Sequence, residues 1–313
     1  LLALSMVKAI QPQAAFFGCG ASLLMAGLAA ADLVLIRAMN LTTRRPSIPW
    51  LALRSAAANR GRSLLVIGLL ASASFIIVAV AANTRDYSRT NFTRHDSGTG
   101  GFALRAVSSL PIHYDLRSPI GRDKLGFPSD DEVAFRGVRI VPFLMSPGED
   151  ISCLNIARAS RPRVLGVTPE MVRRAGFSVL TRKVGGNPWR LLEITDKDGA
   201  VPAFADADSV KWNLHLDLGK TYTLPGEDGK SIRIRFVGLV RGSVFASEIL
   251  ISETSFKRIF PSVTQPRYFL VDAPPGKADR VAQSLRANLG DMGLEVRTTR
   301  EVLNAFLSVQ NTY

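Results

Sequence analysis

Chemistry-bearing residues are scarce in this chain. Its 313 residues include two cysteines and three histidines. Cys19 lies in an apolar run and Cys153 far away in a polar region, which argues against a disulfide. Cys153 reads as a small buried hydrophobe or, alternatively, a reactive thiol. His95, His113 and His215 have no metal-ligand spacing, so each reads as a surface or structural histidine. No G-x-S-x-G elbow occurs, and no Ser, His and Asp fall in a recognisable motif. The run from Gly226 to Ser231 imitates the end of a phosphate-binding loop, but Leu224 stands where that loop needs its first glycine, and the run lies in a hairpin turn. Asn91-Phe92-Thr93 matches a glycosylation sequon, which arises readily by chance. We therefore expect no catalytic residue, no metal and no cofactor, and a chain that is not an enzyme.

Acid is missing from one stretch in particular. Between Arg37 and Ser63 stand six arginines (Arg37, Arg44, Arg45, Arg54, Arg60 and Arg62) and no Asp or Glu. The net charge is +13 and the sequence pI about 10.3. No basic helix with interleaved aromatics accompanies that charge, so no nucleic-acid partner is expected. The arginines instead lie between two apolar runs, Ala14–Ile36 and Leu64–Ala82, each near the roughly 20 residues a helix needs to span a bilayer. Short Lys/Arg-rich loops stay cytosolic, which puts residues 37–63 inside and both 1–13 and everything past Ala82 outside. Arg85, Arg89 and Arg94 soften that contrast, partly offset by Asp86 and Asp96.

Within the loop, Ile48–Ser63 runs from an apolar beginning with Trp50, Leu51 and Leu53 into Arg54, Arg60 and Arg62. Such a segment suits an interfacial helix with Trp50 at headgroup depth and the three arginines on lipid phosphates or a partner. Pro49 fits its first turn. Asp32 reads as a carboxylate at headgroup level near Arg37 or, alternatively, as part of a transport path. Gly18/Ser22, Gly27/Ala31 and Gly68/Ser72 offer small faces for helix packing in lipid.

Beyond Ala82 the helical pattern predicts a stalk over 83–97, with a glycine-rich break at Gly98–Gly101. That break suits a flexible joint or, less well, an anion cradle. Mixed strands and helices over 98–299 indicate an α+β domain. Arg163–Val167 reads as a strand. Thr168-Pro169-Glu170 then caps a helix that ends at Gly176. Lys220–Leu224 and Ser231–Val240 form a hairpin, with Ile232, Ile234 and Phe236 on one face and Arg233 and Arg235 on the other. Arg267–Val271, Ala278–Leu289 and Leu294–Arg297 make a βαβ-like unit. Arg300–Tyr313 reads as a helix leaving the domain, toward a further span past Tyr313. The chain begins at Leu1 and stops inside a helix, so we expect a piece of a longer protein.

Leu51–Asp86 (LALRSAAANRGRSLLVIGLLASASFIIVAVAANTRD) resembles the segment leading into the first span of FtsX/MacB-type ABC-transporter permeases. Ala200–Phe260, with "LGKTYTL", "VGLV" and "EILIS" in order, resembles their MacB-like periplasmic core. GTGGFALRAVSSLPIHYDL and ISCLNIARASRPRVLGV resemble one branch of large permeases that carry two such units. There a linking span precedes the second unit, as Ala14–Ile36 does here. The resemblance covers about Leu51–Tyr313. It implies porter-like βαβ elements with an inserted subdomain, attached to transmembrane helices in the inner cell membrane. It also implies a cytosolic ABC ATPase on a separate chain, pairing of two permease units, and contact with membrane lipid. ATP hydrolysis is then transmitted through stalk helices to the outer domain, to export or extract lipoprotein, lipid, peptide or drug. The competing readings are an extracytoplasmic sensor with a signalling stalk and a membrane-tethered regulator or enzyme of the envelope.

Overall fold

The computed structural model describes residues 12–40, 47–83, 94–148, 162–182, 185–194, 198–246 and 248–310. Arg44, Arg45, Arg85, Asp86, Arg89, the sequon at Asn91, Cys153 and most of the expected stalk lie outside these residues. The chain divides into two compact units, Leu1–Arg85 and Asp86–Tyr313.

Among the described residues the first unit holds three helices, α1 (Pro12–Asn40), α2 (Ile48–Ala58) and α3 (Arg60–Asn83). Within α1 and α3, Phe16–Asn40 and Arg60–Ala79 are long and apolar enough to cross a membrane. The expected 37–63 loop is thus largely helical: α1 carries Arg37, and only Asn59 separates α2 from α3. Proline opens α2 in its first turn, and the Ser63 hydroxyl donates to Ala56 O at 2.7 Å across the joint. Leu35, Ala38 and Ala57 form the small buried core. The small-residue faces are used unevenly. A Cβ on Gly68 would meet Leu28, whereas Gly27 has nothing within 4 Å; Gly20, not among the residues expected, is pressed against α3, where an added Cβ would lie 2.2 Å from Phe75.

The second unit is a ten-stranded mixed sheet with helices on both faces. Its strands are β1 (Leu104–Ser108), β2 (Arg139–Met145), β3 (Val164–Val167), β4 (Val179–Thr181), β5 (Val201–Asp206), β6 (Thr221–Pro225), β7 (Ser231–Val240), β8 (Ile249–Ser252), β9 (Pro266–Asp272) and β10 (Leu294–Thr298). They run in the order β10-β1-β9-β2-β3-β8-β5-β7-β4, and β6 also pairs with β7. Only β3 with β8 and β5 with β7 run parallel. The short helices are α4 (Pro119–Lys124), α5 (Glu132–Phe135), α6 (Pro169–Arg174) and α7 (Glu253–Ile259). The longer α8 (Ala278–Leu289) and α9 (Thr299–Gln310) stand near the C-terminus.

Alternation along the strands sorts side chains into layers. Val141, Phe143, Leu165, Val167, Leu250, Tyr268 and Leu270 face one core with Trp189 and Phe245. Leu144, Val164, Ile249 and Ile251 face a second, with Phe256 of α7. Leu104, Ala106, Ile140, Phe269 and Val271 share a third with α8. The βαβ-like unit forms, but split. β9 and β10 both pair antiparallel with β1, which lies between them. The hairpin forms as β6–β7, with Tyr222 opposite Ile234. In β7 Ile234 and Phe236 are buried, while Arg233 and Arg235 reach out to Asp198.

The helix after β3 forms as expected: it starts on Thr168, whose hydroxyl accepts from Met171 N, and Gly176 follows its C-cap Ala175, but the glycine is not alone in its conformation. Ala175, Gly176 and Phe177 all take positive φ, at 57°, 100° and 63°. Phe177 N then donates to His95 O, and the Trp189 ring N–H donates to Gly176 O at 2.8 Å. Tertiary partners thus set a turn that local propensity disfavours. After β5 comes a π turn, Ser209–Asn213, where Asp206 accepts from the N–H groups of Asp208 and Ser209 and His215 follows at φ 54°.

Trp189 is fully buried among Phe177, Phe204 and Phe245. Trp189→Ala empties the middle of the first core and is expected to cost about 3–5 kcal/mol, read by denaturant unfolding of the intact chain in detergent.

Candidate functional site

The sequence singles out Trp50, Arg54, Arg60 and Arg62. Helical spacing in α2 brings the Arg54 guanidinium over the Trp50 ring, 5.0 Å from its centroid, as expected for a pair four residues apart. Arg60 is drawn elsewhere. Its Nε lies 3.1 Å from Asp32 Oδ1, so the cation beside Asp32 comes from the start of α3 and not from Arg37 in its own helix. Arg62 is exposed on the first turn of α3. The four residues are therefore one stacked pair, one ion-paired arginine and one solvated arginine. Ile48 and Leu51 beside them are exposed.

In the second unit the geometry gathers where the chain comes in and where it goes out. The incoming turn, Arg94–Phe102, is not a loose joint. Gly98 O accepts from Val244 N at 3.1 Å, and a Cβ on Gly98 would lie 2.0 Å from Gly242 O. Ser97 and Thr99 are buried and share a hydrogen bond of 2.8 Å. Glycine is needed for close backbone approach, the opposite of the flexibility expected from the Gly-rich sequence.

Arg174, at the end of α6, clamps the turn. Its Nη1 donates to Gly100 O at 2.8 Å, its Nη2 lies 3.3 Å from Asp272 Oδ2, and its guanidinium stacks 3.8 Å over Phe102. Burial holds this guanidinium below its ordinary pKa, and Asp272 pulls against that.

The outgoing helix α9 starts on the same spot. The Thr299 hydroxyl donates to Phe102 O at 2.6 Å, and its backbone N–H donates to Ala103 O at 3.0 Å. Thr298 and Glu301 form a reciprocal capping box, with Thr298 N to Glu301 Oε2 at 3.0 Å and Glu301 N to Thr298 Oγ1 at 3.1 Å. Val302 and Leu303 enter the first core, so the first turn of α9 is part of the domain.

Behind the incoming turn stands Asp206 at the end of β5, 2% exposed. Its Oδ2 accepts from Asp208 N at 3.1 Å and Ser209 N at 3.2 Å, and its Oδ1 from Ser243 N at 3.4 Å. Ser209 in turn donates to Ala246 O at 2.8 Å. Asp206 so holds the loop 241–246 on which Gly98 rests. Burial pushes its carboxyl up to about 6, against the N–H groups that favour the ionised form. A second buried acid, Glu248, lies 3.5 Å from both Arg105 and Arg163, beside the fully buried Tyr268, whose phenol burial pushes up.

Sequence reading missed Phe102, Arg174, Asp206, Glu248 and Thr299. Only Thr299 had a local signal, the Thr-x-x-Glu spacing of Thr298 and Glu301. Among the described residues, no three His, Cys, Asp or Glu gather to hold a metal.

Gly98→Ala forces the Gly242 carbonyl away and is expected to cost about 2–3 kcal/mol in unfolding of the intact chain. Asp206 titrates near 6 folded and near 3.8 unfolded, so its protonated form favours the fold. That contribution is full below about 4 and is lost as pH rises through 6, worth about 3 kcal/mol at ~1.4 kcal/mol per pH unit. Asp206→Asn is expected to flatten the stability curve between pH 4 and 7, measured by melting temperature across buffers.

No family model matches the chain, and no curated protein matches it. Among solved structures, the periplasmic region of MacB from Actinobacillus actinomycetemcomitans is similar at TM-score 0.34 and 10% identity, over 70% of this chain and 97% of that one. The extracellular domain of the noncanonic ABC-type transporter YknZ from Gram-positive bacteria is similar at TM-score 0.30 and 9% identity, over 63% and 98%. Likenesses of this size assign neither a family nor an activity to the chain.

Proposed function

We propose that this chain is part of an ABC-transporter permease of the FtsX/MacB type. In this reading it lies in the inner cell membrane with Asp86–Tyr313 on the outer side. It works as one of two paired permease units with an ATPase on a separate cytosolic chain, and it has no catalytic centre of its own. What it moves is a lipoprotein, lipid, peptide or drug.

The observation that carries the reading is the tie between the incoming turn and the outgoing helix. Thr299 bonds both Phe102 O and Ala103 O, and Val302 and Leu303 bury the helix start in the same core. A displacement of either segment therefore loads the other and strand β1, which lies between β10 and β9. Two apolar helices flanking an arginine-rich segment support the membrane placement.

The test reconstitutes the full-length protein with its ATPase in proteoliposomes. Thr299→Val is expected to leave ATPase binding intact while reducing ATP-dependent change in protease protection of the outer domain by about ten-fold; the domain itself should lose only about 1–2 kcal/mol. Failure of any ATPase to bind the full-length protein, or a nucleotide-independent protease pattern in the unmutated protein, sinks the permease reading.

A further inference from the structure

The loop 241–246 stands between the incoming turn and the sheet. Toward the turn, Val244 N donates to Gly98 O at 3.1 Å, and Gly98 lies so close that a Cβ there would meet Gly242 O at 2.0 Å. Toward the sheet, Ser243 N donates to Asp206 Oδ1 at the end of β5, at 3.4 Å. The ends of the loop are anchored independently. Arg241 N bonds Ser178 O at 2.9 Å, and Val244 and Phe245 are buried in the first core. Between these anchors the Ser243 N–H is held by Asp206, so the place of Gly242 and Ser243, and with it the seat of Gly98, depends on that carboxylate.

The two oxygens of Asp206 are loaded unequally. Oδ2 accepts from Asp208 N at 3.1 Å and Ser209 N at 3.2 Å, whereas among the described residues Oδ1 accepts from Ser243 N alone. A carboxyl places its one proton on the oxygen with fewer donors, here Oδ1. Oδ1–H and Ser243 N–H are then two donors face to face, and the bond that holds the loop is lost. Asp208 is the charged neighbour that acts on Asp206, and its like charge favours the protonated form. Charged groups on the elements packed around it have other partners. Glu248, before β8, lies between Arg105 and Arg163; Arg233 and Arg235 of β7 reach to Asp198; Lys211 of the π turn lies over the Trp212 ring; Arg94 of the incoming turn pairs with Asp96. Arg241 of the loop is exposed.

We propose that Asp206 is a proton-operated latch: ionised, it holds the loop 241–246 closed on the incoming turn, and protonated, it lets loop and turn part. Acid then acts in two opposite directions. It relieves the burial of a charge, which favours the fold as a whole, and it breaks the tie between β5 and Ser243, which loosens one junction. A group that only stabilised the fold would move both in the same direction. This inference does not rest on the permease reading and stands or falls separately.

The test follows amide hydrogen exchange of the intact chain in phosphatidylcholine nanodiscs, with no ATPase present. Rates are taken at about pH 5 and about pH 7, either side of the Asp206 titration, and corrected for the intrinsic pH dependence of exchange. Over 241–246 exchange is expected to be about ten-fold faster at the lower pH, while α8 keeps its protection. In Asp206→Asn an amide NH2 stands where the protonated oxygen would, so exchange over 241–246 is expected to be fast at both pH values. Asp208→Asn removes the like charge, keeps the latch and moves its midpoint to lower pH. Where Asp206→Asn fails to fold, seen as lost protection of α8, the midpoint shift in Asp208→Asn decides. Equal protection of 241–246 at both pH values in the unmutated chain overturns the proposal. So does a pH response in folded Asp206→Asn as large as in the unmutated chain, or a midpoint unmoved by Asp208→Asn.

Discussion

The second unit depends on one hydroxyl. Thr299 begins the outgoing helix and bonds the carbonyl of Phe102, the last residue of the incoming turn before the chain runs into β1. β1 is central to its end of the sheet, because β9 and β10 both pair with it. Whatever moves Phe102 therefore moves the middle strand of a three-strand group, not a free edge. The bond is short, and Thr299 is 3% exposed, so water does not compete for it. Losing it leaves a buried carbonyl with one partner fewer, which costs more than the bond itself contributes.

The incoming turn is held from three sides that are distant in sequence. Arg174 grips Gly100 O and stacks on Phe102, Phe177 N bonds His95 O, and the loop 241–246 closes on Gly98. That last loop is itself set by Asp206. These contacts form a chain from the end of β5 to the first turn of α9. Each link is a backbone group met at close range, so the geometry tolerates little adjustment.

Much of the architecture was legible locally. The apolar runs, the Thr168 cap, the β6–β7 hairpin and the sequence of β9, α8 and β10 all follow from periodicity and capping chemistry within short windows. The junction was not. Gly98–Gly101 looks flexible by composition, but the reason for glycine there is Gly242, which is more than a hundred residues away in the chain. Arg174 sits at the end of an amphipathic helix, where a basic residue satisfies the helix dipole, and nothing local tells that its guanidinium is buried over an aromatic ring. Asp32 had a cation five residues on in its own helix, yet meets one from another helix. Long-range partners decide these cases, and one sequence does not print them.

Buried charge marks the places where position matters more than stability. Arg174, Asp206 and Glu248 are each about nine-tenths or more removed from water, and a hydrophobic side chain of similar volume would avoid that desolvation. What a hydrophobic residue cannot do is hold a backbone carbonyl or N–H at a fixed angle. Arg174 fixes the carbonyl of Gly100, and Asp206 fixes the N–H of Ser243. Both target residues lie in turns with no ladder partner of their own, so each side chain supplies a bond that the sheet does not. The charges thus trade stability for a single placement of the two segments through which the chain reaches the domain. A domain that only had to stay folded would gain by losing them; one that must pass a displacement from one end of its chain to the other would lose its coupling.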